Sequence, residues 1–173
     1  MAERITQGDV APDFDLSSTE SALLTLRDEV PRTSVIMYVF SDLEADSARR
    51  DLTALAARRD ELWGYHTKIL GMAPAKMPAL KELQTELSLP FPLLRDDRDF
   101  LARYGVEAPG EDEVAQPALF VIDRQQMVAW VANPVASVES CLAELVELVK
   151  ADDSPTANYP KAVINRLVAF WVN

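Results

Sequence analysis

Two hydrophobic rhythms run through this chain, one with the period of a strand and one with that of a helix. Val35–Phe40 reads VIMYVF, an unbroken apolar run rich in β-branched and aromatic residues. Such a run predicts a strand covered on both faces. HTKILGMA at 66–73 predicts a second buried strand, and PALFVID (117–123) and MVAWVANP (127–134) predict two more around a short polar turn. Phe14 and Leu16 alternate like a half-buried edge strand, with Pro12 turning Ala11 away from helix, and Leu24–Asp28 gives another short alternation. FPLLRD at 91–96 is read as extended.

Helical spacing lies between these runs. Leu52, Leu55, Ala56, Arg59 and Leu62 mark one helix from about Asp42 to Trp63. Ser41 and Glu44 have the spacing of a capping box, which predicts Ser41 as its N-cap. Pro78 suits a first helical turn, with Leu80, Leu83 and Leu87 along one face behind it. A short helix over 98–106 is stopped by Gly105, and an acidic loop follows over Glu107–Gln116. Val138, Cys141, Leu142, Leu145, Val146 and Val149 make an amphipathic helix to pack on the sheet. DDSPTANYP at 152–160 reads as a linker before a last apolar segment. Strands alternating with helices, then a hairpin and a helix, predict a three-layer α/β/α sandwich.

Composition narrows the functions available. The chain has 173 residues, a net charge of −11 and a pI near 4.5. That balance disfavours nucleic acid and anionic membrane surfaces as partners. One cysteine excludes an internal disulfide, and one histidine excludes a His-rich metal site, so no metal and no cofactor is expected. The opening MAERITQGD lacks the basic start and apolar core of a secretion signal. No apolar run approaches the ~20 residues that span a bilayer. The expected location is cytoplasmic.

Several phrases then stand out in order: GDVAPDFDL at 8–16, LTLRD at 24–28, FPLLRD at 91–96, LARYGV at 101–106 and PALFVID at 117–123. Together they resemble the peroxiredoxin family (alkyl hydroperoxide reductase C / thiol-specific antioxidant) of the thioredoxin superfamily. The resemblance implies a thioredoxin-like three-layer fold with a peroxiredoxin-type N-terminal extension over residues 1–151, and leaves 152–173 as linker and apolar tail. It also implies a redox site at the junction after Phe40, with the pattern P-x-x-x-T/S-x-x-C and an arginine before a later strand. Aligned without gaps from Tyr38, those places hold Ser41, Ala45, Ala48 and Pro117. A shift of one residue brings Ser47 to the reactive place, but a serine hydroxyl is not oxidised by peroxide and is a poor nucleophile without a base. Asp42, Glu44 and Asp46 suit the helix dipole yet disfavour a thiolate. The expectation is a site without its thiol, with catalytic use of Ser47 or Asp46 as the lesser reading.

In thioredoxins a cis-proline faces the redox turn; Gln116-Pro117 holds the matching place, and either isomer fits there. Cys141 falls on the apolar face of the last helix and is read as buried and inert. His66 has no acidic partner in local register, and Asp96-Asp97-Arg98-Asp99 lacks the spacing of a calcium loop. The expected function is therefore a catalytically degenerate binding, scaffold or assembly subunit, against a thiol-dependent peroxidase reducing hydroperoxides. The tail supplies the candidate contacts Val163, Leu167, Phe170 and Trp171 for a protein partner or a homo-oligomer, with docking on the chain's own surface as the alternative.

Overall fold

The apolar run after Thr33 forms the middle of the sheet. In the computed structural model, which describes residues 4–20, 23–96, 98–106 and 115–153, all six residues of strand Ser34–Val39 are buried. Two short strands, β1 (Asp15–Leu16) and β2 (Leu24–Thr25), and a single-turn helix, α1 (Leu26–Glu29), precede this β3. Then come α2 (Asp46–Ala57), α3 (Arg59–Gly64), β4 (Thr67–Ala73), α4 (Met77–Glu86), β5 (Leu93–Arg95) and α5 (Arg98–Arg103). The hairpin β6 (Ala118–Ile122) and β7 (Val128–Ala132) and the helix α6 (Val138–Asp152) follow. The main sheet has the order β5-β4-β3-β6-β7, while β1 and β2 form a separate antiparallel pair. β3, β4 and β5 run parallel, and β6 and β7 pair antiparallel beside them.

Alternation along the strands divides the core in two. Ile36, Tyr38, Ile69, Leu119 and Val121 face Leu52, Leu55, Leu80, Leu83, Leu142 and Leu145 from the helices. Val35, Met37, Leu70, Phe120 and Ile122 face Phe14, Leu16, Leu26, Tyr104 and Val106. The second outer layer is thus largely the N-terminal extension, with the segment after α5. Gly105 ends α5 at φ 66°, where a residue with a side chain is strained.

The N-terminal segment also closes both margins of the sheet. Gly8 donates to the Val128 carbonyl and Val128 to that of Asp9, each at 2.8 Å. At the other side Thr19 donates to Leu93 and Arg95 to Ser17, each at 2.9 Å.

Three sequence expectations need correction. The helix placed over Asp42–Trp63 begins four residues later and is broken at Arg58, whose φ of −101° and ψ of 1° leave the helical basin. Leu24–Asp28 is a strand for only two residues before it turns into α1. Asp152, expected to open the linker, still belongs to α6 and Asp153 is its C-cap, while the rest of the expected linker lies outside the described residues. Among the described residues, no helix is long and apolar enough to cross a membrane. The tail candidates Val163, Leu167, Phe170 and Trp171 lie outside the described residues, as does most of the acidic loop.

Candidate functional site

The junction between β3 and α2 faces the chain entering β6, because Val39 pairs with Ala118. Ser41 reaches across this gap: its hydroxyl donates to the Ala115 carbonyl at 2.6 Å. The turn over 41–48 and the approach to Pro117 are therefore adjacent, as the sequence suggests. Ser41 is not the N-cap, however. Ala45 holds that place in an extended conformation (φ −64°, ψ 124°) without a side-chain cap. The expected capping box fails because the Asp42 carboxylate takes the Glu44 amide at 2.9 Å, folding a tight turn ahead of the helix. Asp46 and Ser47 are exposed in the first turn of α2, and Ala48 points inward at 2% exposure.

Pro117 is half-buried, and its carbonyl accepts the Val135 amide at 2.8 Å. The cis peptide among the described residues is Asn133-Pro134, so Gln116-Pro117 is trans.

Arg49 fixes the same turn from the side. Its Nε donates to the Leu43 carbonyl at 3.0 Å, and its guanidinium meets both Glu86 oxygens at 2.7 and 3.3 Å. The Arg49 hydrogen bond holds the Glu86 carboxyl below its ordinary range. Arg49, in the first turn of α2, is thus engaged by carboxylates, with Glu44 a further 3.6 Å contact.

A buried polar group lies one turn further along α2. Asp51 is 6% exposed and accepts the Tyr38 hydroxyl at 2.8 Å and the Val138 amide at 3.0 Å. Burial, and then the Asp51 carboxylate, push the Tyr38 phenol far above its usual range. Sequence reading passed over Asp51, although a carboxylate one turn from Ala48 and Leu55 on an inward face was the available signal.

Cys141 is only partly buried, which corrects the fully buried expectation. Its thiol donates to the Val138 carbonyl at 3.2 Å, and burial, with Glu144 and Asp51 adding to it, pushes its pKa up. A thiol shifted that way is a weaker nucleophile at neutral pH. It sits on α6, not in the turn that leads into α2.

His66 has a partner after all, 87 residues away. Its Nδ1 lies 2.8 Å from Asp153 Oδ1, which Arg124 also approaches at 2.5 Å. Burial opposes ionisation of Asp153, but the hydrogen bonds from His66 and Arg124 outweigh it and hold its carboxyl below the usual value. Ser34 adds a 2.5 Å bond to Asp152. This cluster ties the end of α6 to the opposite end of the sheet from Ser41. Among the described residues no group of three or more His, Cys, Asp or Glu is arranged to hold a metal ion.

A mixed five-stranded sheet, with a helix starting where β3 ends and facing the chain before β6, defines a thioredoxin-like protein. The AhpC/TSA family model matches residues 7–131, and the chain belongs to that family. Its structure is similar to peroxidoxin BcpB from Mycobacterium tuberculosis, at 16% identity and a TM-score of 0.78, covering 86% of this chain and 98% of that one. It is also similar to the C47S mutant of Xylella fastidiosa PrxQ, at 14% identity and a TM-score of 0.77, covering 88% and 99% of the two chains. Mycobacterium tuberculosis AhpC is 22% identical with a TM-score of 0.71, over 88% and 95%. Comparison with curated proteins finds no match.

Proposed function

We propose that this chain is a catalytically degenerate member of the AhpC/TSA family, acting as a binding, scaffold or assembly subunit in a protein complex. The observation that carries the reading is the content of the first turn of α2. Ala45, Asp46, Ser47 and Ala48 fill it, and the one thiol of the chain is on another helix. Peroxide reduction by this family's chemistry needs a thiolate, and thiolates form beside helix N-termini and free cations. Here Arg49, beside this turn, is engaged by Glu86, and the approach carries Asp42, Glu44 and Asp46. Function resides in a site and not in a fold, so family membership does not supply the activity. On this reading a protein partner or a second copy meets the chain through its C-terminal residues, with Val163, Leu167, Phe170 and Trp171 as contacts.

The test is peroxide consumption with thioredoxin or dithiothreitol as electron donor, run on the native chain and on Cys141→Ser. No turnover above background in either chain is the expected result. Turnover that depends on Cys141 would restore the peroxidase reading.

A further inference from the structure

β5 covers the outer edge of β4 only from Gly71 onward, through the pairs Gly71–Leu93, Met72–Leu94 and Ala73–Arg95. The first half of β4 is oriented by its own bonds. The His66 and Met72 carbonyls face β3, accepting the Ser34 and Phe40 amides. Successive peptide groups alternate in direction along a strand. Thr67 and Ile69 therefore turn their amides and carbonyls outward, as Gly71 does where it donates to Pro92. Among the described residues nothing bonds those four outward groups. Thr67 and Ile69 are only 1% and 3% exposed, and backbone polar groups so enclosed ordinarily have partners.

These groups line a groove of about 490 Å³, together with Leu23, Trp63 and Glu20. Leu23 and Trp63 are among the most exposed large apolar side chains of the described residues, at 59% and 47%. An unpaired strand edge beside exposed apolar side chains is the architecture that takes an added strand.

We propose that residues 160–172 of the same chain occupy this groove as a strand added to the first half of β4. The described chain ends at Asp153, which is held against His66. His66 in turn donates its amide to Trp63 and precedes Thr67, so the described chain ends next to neighbours of two groove-lining residues. Residues 154–159 reach at most about 20 Å when extended. Val163, Ile164, Val168, Phe170, Trp171 and Val172 are β-branched or aromatic, the composition that suits a strand. The tail carries Lys161 and Arg166 and no acidic side chain, on a chain of net charge −11. A second copy's tail or a partner's strand offers the same chemistry, but a short tether gives the chain's own tail the higher effective concentration. A partner that binds the tail must then withdraw it from this groove.

The experiment is amide hydrogen exchange by NMR on the full-length chain and on the full-length double variant Phe170→Ser, Trp171→Ser. Thr67 and Ile69 are expected to exchange at least about tenfold faster in the variant. Leu70 and Met72, whose amides face β3, report whether the sheet stays folded. If the variant loses that protection too, a Leu23→Asp variant with an intact tail replaces it, with the same expectation at Thr67 and Ile69. Equal exchange of these two amides in native and folded variant chains overturns the proposal. Protection that disappears on dilution to a monomer assigns the groove to a second copy's tail and also overturns it. These readouts involve neither peroxide turnover nor a partner, so they stand apart from the proposed function.

Discussion

Asp51, in the middle of α2, accepts the first amide of α6: its Oδ1 lies 3.0 Å from the Val138 nitrogen. The N-cap residue of α6, Ser137, makes no side-chain cap of its own. One helix thus supplies the cap for another, and the Tyr38 hydroxyl on the other carboxylate oxygen fastens both to β3.

Asp51→Ala should lower stability by ~1–3 kcal/mol, because it leaves a buried hydroxyl and a buried amide without partners. Urea unfolding measures the loss. Tyr38→Phe removes one donor and leaves Asp51 its helix bond, so its loss should be smaller. A double-mutant cycle should show coupling between the two positions; strict additivity would count against the network.

Ala48→Cys should not create an effective peroxidase. The new thiol would enter a position that is 2% exposed, and burial raises a thiol's pKa. Arg49 is already bonded to Glu86 and gives the thiolate little help. Alkylation by iodoacetamide as a function of pH, in a Cys141→Ser background, reads the titration. An apparent pKa clearly below the free value of about 8.5 would refute this electrostatic account.

Asp153 should make stability depend on pH in the acid range. Its carboxyl is held below its ordinary value of 3.8 by His66 and Arg124, against the opposing effect of burial. A carboxyl depressed on folding contributes fully above its unfolded pKa and loses that contribution as pH falls through the folded one. The native chain should therefore exceed Asp153→Asn in stability at neutral pH, and the difference should shrink from about pH 4 downward. Since Asp153 and His66 are partly open to solvent, the difference should stay below ~1 kcal/mol. Chemical denaturation of both chains across pH 2–7 checks the sign.

Gly71→Ala should destabilise the sheet by ~1–3 kcal/mol through overpacking. A Cβ there would stand 2.4 Å from Leu93 Cδ2, and Leu93 is fully buried on the neighbouring strand. Adding Leu93→Val should recover part of the loss, measured by thermal unfolding.

The strands were the most legible part of the sequence. Continuous apolar runs such as Val35–Phe40 and Ile69–Ala73 can be satisfied only between two covering layers, and they form the centre of the sheet. Pro78 and Gly105 mark a helix start and a helix stop through their backbone restrictions, and both are found in those places. The start of α2 was misread because Ser41 and Glu44 satisfy the capping-box spacing while a distant partner and a local one claim their groups. The Ser41 hydroxyl bonds Ala115, 74 residues away, and the Glu44 amide is taken by Asp42. The break at Arg58 was invisible because Leu55 and Leu62 keep an inward helical spacing across it. His66 and Asp153 show the same limit: local register holds no acid for the histidine, and only the fold provides one.

The N-terminal segment has a consequence for how the molecule is made. Val10 bridges Met127 across 116 intervening positions, whereas Ser18 bridges Leu94. Val10 thus leaves the ribosome more than a hundred residues ahead of its pairing partner. Contacts so distant in sequence slow folding. Until Met127 emerges, the nascent sheet lacks its far border, and its inner strands have open flanks that invite association. A segment made early is the final strap drawn tight.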